Sequence, residues 1–321
     1  MTRFLTDRAV QSLLVLLVLS FVIYGLIGLM PGDPIDLMLS ADPRMTQADV
    51  ARLKALYGLD QPLIARYWAW LKSALLGEFG YSRLAARPAL DALWPALAST
   101  TVLVGSSFAL ALAIALPAGI AAAMRPGGAG DRALNLFCFA GISLPPFWLA
   151  ILLILLFAVV LGWLPAGGAP MGGDAGIAAY ARHLTLPVAT LTLLQAGGYI
   201  RFVRAAMIEV LRQDYMRTAE AKGLTPRRIL LRHALPNALI PVVTVVALGF
   251  GALFSGALIT ETMFAWPGMG KLIFDSIMGN DFNLALLALL FATLLTLLGN
   301  LLADLAYAWL DPRIVYQELK P

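Results

Sequence analysis

Apolar residues in this chain fall into long blocks separated by polar breaks. Six blocks are long and apolar enough to cross a hydrocarbon layer of about 30 Å. They cover residues 10–30, 101–124, 134–161, 184–210, 239–259 and 284–310. Two contain local exceptions. Arg201 and Arg204 interrupt the fourth, so its lipid-embedded part is predicted to stop near Ile200, with the helix continuing into water. The third carries Pro145-Pro146, which removes two backbone donors and predicts a kink or an unwound turn.

Composition agrees with the pattern. The 321 residues are 60% hydrophobic and 13% charged, with a mean hydropathy of +0.82. Soluble domains carry about 25% charged residues. A cytosolic enzyme, a disordered chain and a nucleic-acid-binding domain are therefore disfavoured. The expectation is an all-α integral membrane protein. The first apolar block follows Arg3 and Arg8 and ends in Pro31-Gly32-Asp33-Pro34. It is longer than the roughly 7–15-residue core of a signal peptide, so it reads as an uncleaved first span. Cys138 is the single cysteine, which excludes intrachain disulfides and Cys/Cys metal sites. His183 and His233 lack ligand-spaced companions and read as polar residues at segment ends. No metal site is expected.

The net charge of +4 reports sidedness in such a chain rather than a nucleic-acid partner. With the N-terminus inside, the inner segments hold 14 Lys/Arg against 7 Asp/Glu, while the two short outer loops hold 2 against 4. Both termini are thus predicted cytoplasmic, and residues 31–99 external. The expected organisation is residues 1–30 as N-terminus and first span, 31–99 as an outer loop, 100–310 as the membrane core with an inner loop at 211–238, and 311–321 as a cytoplasmic tail. Within the outer loop, Thr46 and Asp49 resemble a capping box, Val50, Leu53 and Tyr57 follow at helical spacing, and Gly58 suits a helix stop. A second helix is predicted from Pro62, with Leu63, Tyr67, Trp70 and Ala74 on one face and Trp68, Leu71 and Leu75 beside them. Its aromatic residues suit the outer interface. It serves there either as a rim for an external partner or as a cap anchoring the spans.

The largest inner segment reads as two helices with a joint. The first runs from Ile208 through Tyr215, Arg217, Thr218, Ala219, Glu220, Ala221 and Lys222. Gly223 ends it with φ > 0, and Leu224 leads to Thr225 as N-cap and Pro226 as first helical residue. The second runs from Arg227 and Arg228 to Leu235-Pro236-Asn237, just before the fifth span. Ala219 and Ala221 would let another surface approach closely, and Arg217, Lys222, Arg227 and Arg228 offer charge. Docking of a protein and contact with anionic headgroups both suit this composition.

The spacing Ala219, three residues, Gly223, eleven residues, Leu235-Pro236 resembles the EAA loop of bacterial ABC-importer permeases. Arg217, Thr218 and His233 depart from the Glu-Ala-Ala and Ile-x-Leu-Pro ends of that pattern, in a way that looks like its oligopeptide/dipeptide branch, which also serves nickel complexes and glutathione. Five further segments are similar to motifs of that branch: Leu29-Met30-Pro31-Gly32-Asp33-Pro34; Tyr57 to Pro62; Gly77 to Ser82; Glu261 to Gly270, including Phe264, Trp266, Pro267 and Gly268; and Asp311-Pro312-Arg313. Asn280-Asp281-Phe282-Asn283 stands where the branch usually reads Arg-Asp-Tyr-Pro.

The resemblance implies the six-helix type I importer permease fold in a bacterial inner membrane. It implies a second permease subunit, two cytoplasmic P-loop ATPases that bind ATP and magnesium, and an external substrate-binding protein. The loop from Arg217 to Pro236 would couple to the ATPases, and Glu261, Phe264, Trp266, Pro267 and Gly268 would serve an external gate or its framework. Glu261 would either border the path or bind the following turn. The chain has no G-x-x-x-x-G-K-[ST] segment, so it is expected to be a pore subunit rather than an enzyme, with no cofactor of its own. The alternative is an ion-gradient-driven secondary transporter, which would place charges mid-span and show inverted repeats. Asp304, in the sixth span, is expected to pair with a nearby base, Arg201 and Arg204 to snorkel, and Gly197-Gly198 to allow either close packing or a hinge.

Overall fold

A computed structural model of the protein describes residues 2–29, 52, 60–170 and 176–310. The Thr46–Gly58 reading, the residues from Met30 to Pro34 and Asp311-Pro312-Arg313 lie outside them. The chain forms two compact units, one of residues 1–99 with 268–294 and one of residues 100–267 with 295–321.

In the first unit, α1 (Thr2–Gly28) is apolar and largely exposed, as a lipid-facing helix is. α2 (Leu63–Leu75) packs on it through the predicted aromatic face. Buried Tyr67 shares a 2.8 Å hydrogen bond with Ser20, and its ring meets Phe21 and Tyr24 edge-on at 5.1 and 5.6 Å. Pro62 occupies the N-cap rather than the first helical position. β1 (Tyr81–Ser82) and β2 (Arg87–Pro88) form a small antiparallel hairpin. α10 (Met269–Met278) and the first half of α11 (Phe282–Leu310) complete the unit. Asp281 joins these parts. One carboxylate oxygen caps the first turn of α11 at Leu284 N–H, 3.3 Å away. The other accepts from Ser82 Oγ at 2.6 Å and Leu84 N–H at 3.0 Å in the hairpin. Asp281, the position shared with the Arg-Asp-Tyr-Pro pattern, is thus both a cap and a clamp, and Asn280 before it takes a left-handed backbone at φ +53°, which asparagine tolerates.

The second unit is built on four long elements. α3 (Ala89–Met124) starts twelve residues before the predicted span, because Asp91 and Trp94 extend the same helix beyond its apolar block. α4 (Ala129–Ser143) and α5 (Pro146–Leu153), with a π-turn at Ile154–Val160, are bent by 106° at Leu144-Pro145, realising the predicted break. α6 (Ile177–Leu211) runs unbroken through Arg201 and Arg204, and includes Pro187. α9 (Leu235–Met263) packs along α6. At Gly197 a Cβ would sit 2.9 Å from the Cys138 carbonyl, whereas at Gly198 it would meet nothing within 4 Å. Gly197 therefore serves close packing of α6 on α4. Asp304 is half-buried in α11.

Candidate functional site

The segment after α6 is where the structure revises the sequence reading most. The first predicted helix is two. α6 stops at Leu211, Arg212 and Gln213 form a turn, and α7 (Asp214–Ala221) starts afresh. Gln213 takes an extended N-cap conformation, and the acidic Asp214 fits the positive end of the new helix. The second predicted helix does not end at Leu235-Pro236-Asn237. α8 (Pro226–Ile229) runs through a π-turn (Leu230–Ala234) directly into α9, so one helical rod extends from Pro226 to Met263. Pro236 cannot donate to a carbonyl one turn back. The widened π-turn ahead of it is the local adjustment that lets the rod continue without that bond.

Between α7 and α8 lies a Schellman stop. Gly223 N–H bonds the Glu220 carbonyl at 2.9 Å, Leu224 N–H reaches the Ala219 carbonyl at 3.4 Å, and Gly223 has φ +71°. Thr225 occupies the N-cap as predicted, but its side chain makes no capping bond. The joint is thus set by backbone geometry at Gly223 and by Pro226 at the first helical position.

Underneath, the joint rests on a buried core of Met207, Met216, Ala219, Ile229, Ala234 and Ala238, with Val203 and Val242 from the two long helices and Leu224 at its edge. Burying a Met or Ile side chain is worth about 1.5–3 kcal/mol relative to exposure, so this core ties the joint to the helices. Ala219 therefore faces inward and is not available to another surface, contrary to expectation; Ala221 is exposed. Arg217, Thr218, Glu220, Lys222, Thr225, Pro226, Arg227 and Arg228 are exposed as well, with Arg212 and Arg232 extending the basic face. Tyr215 and Leu231 add exposed apolar area beside these charges. The Arg217–Asp214 pair, at 3.6 Å on an open surface, leaves that face basic. Leu235 is half-buried and Pro236 exposed.

At the base of α6 stands an interaction that no sequence spacing announced. Arg204 does not simply snorkel: its Nε and an Nη donate to the two oxygens of Asp131, at 2.5 and 2.7 Å. Asp131 also accepts from Gly127 N–H at 2.8 Å and Asn135 at 2.9 Å. The partners lie 73 positions apart, and the only hint was a lone acid in a short basic loop.

The other end of α9 uses the same helix-stopping device. Ala265 N–H bonds the Thr262 carbonyl at 3.2 Å and Trp266 N–H bonds the Glu261 carbonyl at 2.8 Å, with Ala265 at φ +47°. The Glu261 carboxylate is buried and accepts from Thr100 Oγ at 2.5 Å. Trp266 is buried against Leu103 and Leu191, with Tyr180 edge-on at 5.2 Å. Phe264 packs on Ala150 and Leu186, and its carbonyl accepts from Gly168 N–H at 2.7 Å. His183 Nδ1 lies 3.1 and 3.2 Å from the carbonyls of Gly167 and Gly168. Those are acceptors only, so this nitrogen carries the proton. Pro267 is exposed, and Gly268 is buried as the N-cap of α10. Glu261, Phe264 and Trp266 thus fasten the end of α9 to its surroundings.

Comparison with known proteins agrees with this architecture. Residues 115–316 match the family model described as the binding-protein-dependent transport system inner membrane component, and residues 1–116 match its N-terminal companion. The oligopeptide transport system permease protein AppB of Bacillus subtilis is 36% identical over 318 residues, covering 98% of this chain and all of AppB. The glutathione transport system permease protein GsiC of Escherichia coli is 35% identical, covering 99% and all of its length. Among solved structures, the inward-facing MetNI methionine ABC transporter aligns with a TM-score of 0.53 at 20% identity, over 66% of this chain and 93% of that one. An amino acid ABC transporter aligns with a TM-score of 0.52 at 14% identity, over 68% and 94%. The shared fold is that of ABC importer permeases. This chain belongs to the inner-membrane permease family of binding-protein-dependent transport systems.

Proposed function

We propose that this chain forms half of the membrane path of an ATP-driven importer for peptides or similar small solutes. A second permease supplies the other half, two P-loop ATPases hold ATP and magnesium at the cytoplasmic side, and an external binding protein delivers cargo. The chain itself hydrolyses nothing. Both termini face the cytoplasm. The names of AppB and GsiC support the peptide class, and the arrangement of α7, α8 and α9 supports the coupling.

One observation carries the mechanism: the basic α7–α8 joint is continuous with a membrane-crossing helix. A push on an isolated loop would be absorbed by bending. A push on α8 is passed along the rod from Pro226 to Met263. The buried core beneath α7 keeps the joint's angle constant during the stroke. In this account ATP closes the ATPase dimer, the joint follows, the path opens outward and the binding protein releases its cargo. Hydrolysis and separation of the ATPases reverse the motion.

The test is purification of the chain from its native membrane, followed by reconstitution. The reading expects a second permease and P-loop ATPases in the complex, and ATPase activity stimulated by peptide-loaded binding protein. A chain that transports alone, driven by an ion gradient, would overturn it.

A further inference from the structure

The second unit carries an open groove of about 520 Å³ between α4 and α6, lined by Asn135, Phe139, Ile142, Gly198, Arg201 and Phe202. Its walls are apolar and its one uncompensated charge is Arg201. The Arg201 guanidinium lies over the Phe139 ring, 4.3 Å from its centroid. A guanidinium carries five N–H donors, so a cation placed over one ring still has donors to offer a planar or tetrahedral oxyanion. No carboxylate of the described residues stands within ion-pair distance of Arg201. Arg204, one turn away, differs in being held by Asp131. The groove thus contains one committed arginine and one uncommitted one.

Depth identifies what meets that arginine. Arg182 and Arg201 are the first and second arginines of α6, nineteen positions apart in one unbroken helix. At 1.5 Å per residue the separation is about 28 Å, close to the ~30 Å of a bilayer's hydrocarbon layer. With Arg182 at one border of that layer, Arg201 stands at the other, where its long side chain can reach the lipid phosphates. α4 runs antiparallel to α6: Asp131 meets Arg204, Cys138 meets Gly197 and Gly141 approaches Leu193. The groove therefore runs from Arg201 past Phe139 and Gly198 to Ile142, toward the membrane interior. Gly198 leaves its floor open, since a Cβ there would touch nothing within 4 Å. Charge sits at the border of the hydrocarbon layer and an apolar channel leads inward from it.

We propose that this groove binds one anionic phospholipid, its phosphate on the edge of Arg201 and the start of an acyl chain over Gly198 between Phe139, Ile142 and Phe202. The site requires only that the chain spans the bilayer, and it stands apart from the coupling assigned to the α7–α8 joint.

The test uses the complete transporter, extracted from membranes of equal phosphatidylglycerol and phosphatidylethanolamine, with retained lipid counted by native mass spectrometry. A basic residue near an anionic surface is worth roughly fivefold in lipid preference. The wild-type complex should retain phosphatidylglycerol over phosphatidylethanolamine by about that factor, and Arg201→Gln should remove the preference. Arg201→Lys should keep most of it. Gly198→Leu, whose Cβ would meet nothing within 4 Å, should narrow the groove and reduce retention of both lipids. A benzoylphenylalanine crosslinker at Phe202 should capture lipid. Equal phosphatidylglycerol retention in wild type and Arg201→Gln would overturn the proposal. So would capture of the second permease at Phe202, which would make the groove a subunit seat. Failure of the complex to assemble in the wild type would instead refute the proposed function.

Discussion

Gly223 offers the sharpest test of the joint, because its role is conformational and nothing else. It sits at φ +71°, with no atom within 4 Å of where a Cβ would be. Within this chain, any effect of substitution there comes from the backbone and not from a clash. Asn visits this region readily and should cost a few tenths of a kcal/mol. Ala pays the left-handed penalty of about 1–2 kcal/mol, offset in part by about 0.4–1 kcal/mol of reduced unfolded-chain entropy. The net is about 1 kcal/mol, a factor of about five in the population of the correct joint. Pro cannot adopt a positive φ and also loses the N–H that bonds Glu220, for about 3 kcal/mol or more. The assay is cargo imported per ATP hydrolysed in proteoliposomes, normalised to the amount of chain inserted. Expected order is Gly, Asn, Ala, Pro. Asn should be near wild type, Ala down by at most about fivefold, and Pro by about a hundredfold or more, with insertion unchanged. Wild-type coupling in Gly223→Pro would refute the reasoning, as would an Asn variant as impaired as Pro.

Other positions give equally specific expectations. Ala265 occupies the same left-handed position at the end of α9, so Ala265→Gly should raise thermal stability in detergent by about 0.5–1 kcal/mol, whereas a loss of stability would contradict the helix-stop geometry. Adjacent glycines should behave differently: Gly167→Ala would drive a Cβ into the Phe264 carbonyl and cost more than about 3 kcal/mol, while Gly168→Ala, at φ +78° in open space, should cost only about 1 kcal/mol. Comparable melting temperatures for the two would show that the loop is not held against α9. Asp131→Asn should destabilise by about 1–3 kcal/mol, because Arg204, with 25% of its side chain exposed, loses its paired carboxylate. A double variant with Arg204→Gln should recover part of that loss, and strictly additive losses would argue against the pair.

The sequence announced the helical class and the long apolar helices, of which five are long enough to cross a membrane and the bent pair α4–α5 makes a sixth if it is one span, because membrane solvation writes them into apolar blocks of fixed length. It also announced Pro145-Pro146 as a break and Gly223 as a stop, since each residue type has a local backbone cause. Boundaries were less legible. α3 and α6 each begin several residues outside the apolar block, where polar and apolar residues share one helix. The continuity of α8 with α9 was hidden by Pro236, normally a terminator, because a π-turn is set by packing rather than by composition. Long-range contacts left the least trace. Asp131 with Arg204 and Asp281 with Ser82 are pairs of ordinary residues whose meaning depends on which helices meet. Ala219 shows the same limit from the other side: a small residue in a basic loop is equally suited to an interface and to a tight core, and only the packing of Met216 and Ile229 decides for the core.

On the proposed mechanism, ATP-driven motion enters this chain at the α7–α8 joint. Single cysteines at Ala221 and at Arg227, both exposed, can be crosslinked in the assembled, transporting complex with and without ATP, using buried Ala219 as the control. Capture of a P-loop ATPase from both exposed positions, with yields that change on ATP binding and stay low at Ala219, is the predicted result. An importing complex in which neither exposed position ever captures an ATPase would contradict the account.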